Sequence, residues 1–305
     1  MWFNVYWLLF GALCLMVASA MWSRGVIGTM KERMAHASNK MGKASKLSFG
    51  LIAVLWFAVS GFVYYNTQVL NTYKTGDELE ILTAEFEETY KKYEGANLPK
   101  VKDVKYNINI YPEERKVDVH ATMVLKNETA FPIDSLHFST DKNWNPTFDL
   151  PNTTLVYEDK ELGWVIYELA KPMMPGDSMI GVIETAYAAK GFENQVGNIG
   201  VIRNGTFLNN FQILPVLGYD PNSELSDKNS RKKYGLSEKD RMPELESNCS
   251  NACQANYLSN GRADFINVET VISTSSDQIA ISPGTLQKEW QEDGLNFYHY
   301  KVDHP

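Results

Sequence analysis

Hydrophobic positions along this chain change period twice. Trp2 to Trp22 and Leu47 to Tyr65 are uncharged apolar runs, Thr75 to Tyr93 repeats at helical spacing, and from Val101 onward apolar and polar residues alternate. At a rise of about 1.5 Å per residue the two runs would be roughly 31 and 28 Å long as helices, close to the hydrocarbon thickness of a bilayer. Both are long enough to cross it. Trp2, Trp7 and Trp22, with Tyr64 and Tyr65, fall near run ends, where interfacial aromatic anchors sit. A cleaved signal peptide is the rival for the first run, since Ala18-Ser19-Ala20 has a small-x-small form, but no basic n-region precedes it.

The third segment predicts a short amphipathic helix. Thr75-Gly-Asp-Glu78 has the form of a capping box, and Leu79, Leu82, Phe86 and Tyr90 share one face. Asp77, Glu78 and Glu80 crowd its start and Lys91 and Lys92 its end, as the helix dipole favours. It would serve either as a stalk near the bilayer or as a helix packed on the following domain. Gly95-Ala-Asn-Leu-Pro99 ends it and provides the linker.

Beyond the linker, Tyr106, Ile108 and Ile110 alternate with asparagines, the turn Pro112-Glu-Glu-Arg115 follows, and Val117, Val119, Ala121 and Met123 alternate with polar partners. Further strands are expected at 135–138, 163–169, 178–187, 265–273, 278–281 and 296–302. Pro175-Gly176-Asp177 and Ser282-Pro283-Gly284 supply turns. Short strands joined by turn chemistry predict a mainly β chain: two transmembrane helices followed by an antiparallel β-sandwich or saddle. A polar stretch from Asp220 to Glu244 interrupts the pattern, with Ser226 or Asp227 as a helix cap and Gly235 as a stop. Arg231-Lys232-Lys233 reads there as a solvated helix face.

Charge orients the whole. Ser23 to Lys46 holds six basic residues against Glu32, so residues 1–65 carry +5 and the remaining 240 carry −13 of the net −8. Basic short loops stay in the cytoplasm, which puts the large acidic domain outside the cytoplasmic membrane. An acidic surface also argues against nucleic acid or anionic lipid as a partner.

Candidate chemistry is sparse. His36, His120, His137, His299 and His304 form no H-E-x-x-H pair, and G-x-S-x-G, P-loop and dinucleotide fingerprints are missing from the sequence. His120 and His137 are expected on neighbouring strands, as surface or packing residues. The sequons at Asn127, Asn152, Asn204 and Asn248 read as chance. Cys14 is a small apolar residue of the first run. Cys249 and Cys253, in C-S-N-A-C, are either a local disulfide in an oxidising compartment or two free thiols.

Several runs together resemble a known family. Tyr106-x-Ile108-x-Ile110, Leu125-Lys-Asn-Glu-Thr-x-x-Pro132-Ile-Asp-Ser-Leu136 and Leu169-Ala-Lys-Pro172-x-x-Pro175-Gly176-Asp177 are similar to the N-terminal saddle-shaped β domain of the aminopeptidase N family of zinc metallopeptidases. Ile279 to Gly284 and Tyr298-His-Tyr-Lys301 resemble that domain's last strands. Within the family the likeness is to bacterial proteins in which an ABC transporter permease region precedes an aminopeptidase-like region. It rests on Trp2 to Trp7, Tyr65 to Thr75, Asn204 to Asn210 and Glu224 to Leu236.

The resemblance implies a division of the chain. Residues 1–70 would be two permease helices with a basic cytoplasmic loop (23–46), 71–100 an amphipathic linker helix, and 101–305 the extracytoplasmic β domain with a polar insertion at 220–262. The family's zinc ligands and G-x-M-E-N motif are missing, so no cofactor is expected in this chain and zinc would belong to a catalytic region after Pro305. Expected partners are the membrane, the rest of the permease and peptidase regions, and a peptide. Asn210 and Gln212 match by position the family's cleft-facing Gln-x-Glu, although Gln212 lacks the charge; a polar residue at a strand end is the other reading. The implied function is a membrane-anchored, non-catalytic domain shaping a peptide entrance. An extracytoplasmic binding or sensor sandwich is the alternative.

Overall fold

The computed structural model describes residues 1–22, 29, 31–34, 37, 41–141, 143–144, 146–192, 200–239, 247–250, 254 and 266–302. They fall into two units, Met1–Tyr73 with Lys190–Gly197, and Lys74–Ala189 with Asn198–Pro305.

The first unit is built on α1 (Trp2–Met21) and α2 (Lys43–Tyr64), the latter continuing into a π-helical turn, Tyr65–Val69. Trp2 packs on Phe62 at 4.8 Å between ring centroids, and Tyr6 and Phe10 pack on Trp56 at 5.7 and 5.8 Å, so the helices lie side by side and antiparallel. Ala20 is the one buried residue of α1, and α2 has none. By length and composition both can cross a membrane, though a signal sequence would meet the same criteria at the first. Apolar surface left this open on a helix pair needs a lipid or protein neighbour.

The second unit opens with α3 (Gly76–Tyr90). Its capping box is formed: Thr75 Oγ1 accepts from Glu78 N at 3.2 Å, and Glu78 Oε2 accepts from Thr75 N at 2.6 Å. Thirteen strands follow among the described residues of this unit. The larger sheet contains β1 (Lys100–Tyr111), β2 (Lys116–Lys126), β4 (Thr147–Asp149), β7 (Ser178–Ala188), β11 (Asn267–Ser275), β12 (Thr285–Glu292) and β13 (Leu295–Val302), in the order β12-β13-β11-β1-β2-β7-β4. The smaller one runs β10-β3-β6-β5, from β3 (Ile133–Ser139), β5 (Thr153–Asp159), β6 (Trp164–Met173) and β10 (Val216–Leu217). A two-strand ribbon, β8 (Val201–Ile202) and β9 (Gly205–Thr206), with the short helices α4 (Asn210–Ile213) and α5 (Lys228–Lys233), completes the unit.

The expected alternation is realised on β2, where Val117, Val119, Ala121, Met123 and Leu125 are all buried. They share one core with Leu136 and Phe138 of β3 and Met173 of β6. Three expectations are corrected. The larger sheet is mixed, not purely antiparallel, because β1 pairs in parallel with β11 (Asp103 with Asn267 through Asn109 with Ser273), so the chain is mixed α/β. Residues 278–281 are not a strand; the edge strand is β12 instead. His120 and His137 lie in different sheets, on β2 and β3.

The stretches quoted for the family resemblance meet physically. Asn127 is wholly buried at the end of β2, and its Nδ2 donates to Phe131 O and Met173 O, both at 2.8 Å. Its backbone N–H donates to Asp177 O, and its carbonyl accepts from Gly176 N. One amide thus locks the β2–β3 turn to the β6–β7 turn, where Gly176 takes the positive φ of 89° that favours glycine. The sequon at Asn127 therefore has no accessible amide.

Candidate functional site

Asn210 and Gln212 are brought together on α4, a single turn rather than a strand end. Asn209 caps it: its Oδ1 accepts from Gln212 N at 3.0 Å while Gln212 Oε1 accepts from Asn209 N at 3.1 Å. Thr185 Oγ1 of β7 donates to Ile213 O at 2.8 Å, and buried Ile213 plants the turn in the core. Asn210 projects to solvent beside Phe211 and Phe207, which are 64% and 79% exposed. The turn therefore displays a neutral amide and exposed aromatic rings. Such a surface can accept hydrogen bonds and apolar side chains but cannot neutralise an amine by charge.

A cleft of about 510 Å³ opens where the two sheets diverge, between β4 on one side and β5 and β6 on the other. Phe148, Leu155, Val165 and Tyr167 give it an apolar lining, and Glu158, Asp159 and Lys160 also border it. Asp159 is already engaged, accepting from Tyr90 OH at 2.6 Å and from the backbone of Glu161 and Leu162. Tyr90 OH also lies 3.0 Å from Tyr157 OH, and burial together with Asp159 pushes its pKa far above the ordinary phenol value. Tyr90 is therefore a neutral phenol at neutrality, not a base.

A buried electrostatic cluster holds α3 to the 220–239 segment and was not legible in the sequence. Arg231, expected on a solvated face, is 2% exposed and grips Glu87 with Nη1 and Nη2 at 2.8 Å each. Lys91 bridges Glu87 and Glu224 at 3.1 and 3.0 Å, while Lys239 and Tyr219 OH reach Glu224 at 3.0 and 2.9 Å. Burial opposes ionisation of Glu224, but the hydrogen bonds from Lys91, Lys239 and Tyr219 hold its pKa below the ordinary carboxylate value. Above this cluster Phe86 stacks on Tyr219 at 5.4 Å and Tyr90 on Trp164 at 4.8 Å. Every charge has a partner, which marks the cluster as a fastening.

Among the described residues no three His, Cys, Asp or Glu side chains gather as a metal site. His299 Nε2 meets Glu269 at 3.0 Å and His120 Nδ1 meets Glu184 at 3.2 Å, isolated pairs on separate strands. His36, Cys253 and His304 lie outside the described residues, as does most of the 240–262 stretch.

No protein-family model and no curated protein matches the chain. Among solved structures it is similar to the M1 zinc metallopeptidase from Deinococcus radiodurans, at 13% identity and a TM-score of 0.36. A mutant of that enzyme bound to a Tyr-Ser-Ala substrate matches at 12% identity and a TM-score of 0.36. In both cases the match covers 67% of this chain and 39% of the other, so this chain spans well under half of those proteins.

Proposed function

We propose that this chain is the membrane-anchored, non-catalytic N-terminal part of a permease and aminopeptidase fusion, whose β unit shapes the peptide entrance of a zinc peptidase region following Pro305. The supporting observation is the junction at Asn127. Leu125–Leu136 and Leu169–Asp177, the runs that resemble the aminopeptidase saddle domain, close on one another through that buried amide. α1 and α2 act as the last two permease helices, with the basic 23–46 loop in the cytoplasm and the acidic β unit outside. Cys249 and Cys253 form a bridge there. The Asn210–Gln212 turn contacts peptide through neutral hydrogen bonds, and zinc belongs to the downstream region.

Hydrolysis of aminoacyl anilides tests the division of labour. The full-length parent cleaves them in a chelator-sensitive way, and the chain ending at Pro305 does not. Cleavage by the shorter chain would overturn the non-catalytic assignment. Orientation is read by an impermeant thiol reagent on spheroplasts, which modifies a cysteine replacing Asp177 and spares one replacing Lys40; the opposite pattern sinks the topology.

The cleft at β4, β5 and β6 favours a second reading, an extracytoplasmic binding or sensor sandwich on an ABC-type permease. An inactive parent without an H-E-x-x-H motif beyond Pro305, together with ligand-dependent protection of Tyr167, would select it.

A further inference from the structure

The chain leaving β7 does not stay with the strands: Lys190, Gly191 and Phe192 belong to the helical unit. Asn71 Nδ2 donates to Lys190 O at 2.7 Å, to Asn66 O at 2.9 Å and to Phe192 O at 3.5 Å. Buried Asn66 in turn donates to Phe62 O at 2.8 Å. Gly191 sits at φ +53°, and a Cβ on it would collide with Asn66 Oδ1. Backbone contacts of this kind fix the segment against the π-helical turn at the end of α2.

Phe192 is then delivered to the end of the helix pair. Its ring lies 5.6 Å from Phe3, in the first turn of α1, and 5.8 Å from Phe62, in the last turn of α2, where Trp2 also packs. These residues close the two apolar runs at one end, level with Tyr64 and Tyr65. Aromatic rings at such a level partition into the headgroup boundary. Exposed Lys190 beside Phe192 can keep its ammonium in water while its stem follows the ring.

We propose that Phe192 is a third membrane contact of this protein: Lys190 to Phe192, after β7, enter the outer lipid interface next to α1 and α2, and their partner is the lipid surface. The inference rests on reading those helices as membrane spans.

Spin labels on single cysteines at positions 55, 177 and 192, in a full chain whose native cysteines are replaced by serine, test it in phosphatidylcholine–phosphatidylglycerol liposomes. The expected result is a ratio of oxygen to nickel-complex accessibility at 192 shifted from that at 177 toward that at 55. A label at 192 as open to the nickel complex as that at 177, with 55 lipid-exposed, overturns the proposal and leaves the spanning helices intact. An aqueous label at 55 removes both. A label at 192 shielded from oxygen and nickel alike assigns the position to a protein neighbour and also overturns the lipid contact. Because Phe192→Cys could disturb packing, the unaltered chain is also labelled with a lipid-soluble carbene. The tryptic peptide from Gly191 to Arg203 should take up more label than peptides of the strands, and equal labelling counts against the proposal.

Discussion

Arg231 and Glu87 form a two-pronged ion pair, 2.8 Å at each contact, with both side chains almost fully buried between α3 and α5. Arg231 also donates to Ser237 O at 2.6 Å and Leu225 O at 2.7 Å, so four acceptors depend on one guanidinium. Arg231→Met strands a buried carboxylate and should cost about 3–5 kcal/mol, toward the lower end because Lys91 stays beside Glu87. The double change Glu87→Leu with Arg231→Met should recover part of that loss, the two orphaned carbonyls retaining the remainder. Urea unfolding of the full chain in detergent, followed by circular dichroism, measures both. A single variant within about 0.5 kcal/mol of the parent would show that the pair does not fasten α3.

Asn127→Ala leaves Met173 O without its side-chain donor and Thr129 N without its acceptor, while Phe131 O keeps the Thr129 hydroxyl as donor. At about 1–3 kcal/mol per buried unsatisfied group, a loss on the order of 2–4 kcal/mol is expected. Asn127→Asp should be no better, because it keeps the acceptor and loses both donors. In a glycosylating host the exposed Asn152 can carry glycan and Asn127 cannot. Glycopeptide mass mapping checks this, and a glycan on Asn127 would contradict the buried junction.

Local chemistry was legible in the sequence and long-range pairing was not. The Thr75 cap, the Asp227 cap, the Gly235 stop and the β2 alternation are written in neighbouring residues, and each is realised. β5 and β12 were missed because both are edge strands with most side chains exposed, so their sequences carry no buried–exposed alternation. The parallel pairing of β1 with β11 joins segments more than a hundred residues apart, and periodicity identifies strands but not their partners. Arg231 was misread for a similar reason: its partner Glu87 lies 144 positions away. At the candidate site, the pairing of Asn209 with Gln212 is local, an N-x-x-Q capping pattern.

His137 makes stability depend on pH. It is 7% exposed, with Nε2 at 3.1 Å from Ser135 Oγ and its ring edge-on to Tyr93 and Trp164. Burial lowers its pKa from the ordinary 6.5, only partly opposed by Asp134. The unfolded chain therefore takes up this proton first, and stability falls as pH drops below about 6.5, by at most about 1.4 kcal/mol per unit. Glu87 and Glu224 add a second loss at lower pH: their pKa values lie below the ordinary 4.5, so their contribution is present above that value and disappears as pH falls through the folded pKa. His137→Gln should flatten thermal stability between about pH 7 and 5.5 while keeping the acidic loss. An unchanged slope would assign the dependence to another group.

Gln212 sits where a cap and a peptide contact make different demands. Its Oε1 already serves Asn209 N, so Gln212→Ala frees an exposed N–H that water can satisfy, costing about 0.5–1 kcal/mol of local stability. A capping box accepts Glu as readily as Gln, so Gln212→Glu preserves the turn and adds a negative charge. If the turn lines the peptide entrance of the parent enzyme, Gln212→Ala should raise KM about two- to tenfold with kcat nearly unchanged, the signature of lost uniform binding. Gln212→Glu should then restore KM, or lower it for peptides with a free amine. Amide exchange at Asn209 separates the causes, since faster exchange in Gln212→Ala with no change in KM leaves the residue only its cap. A thousandfold fall in kcat with the turn intact would place Gln212 in the transition state and overturn the non-catalytic reading of this unit.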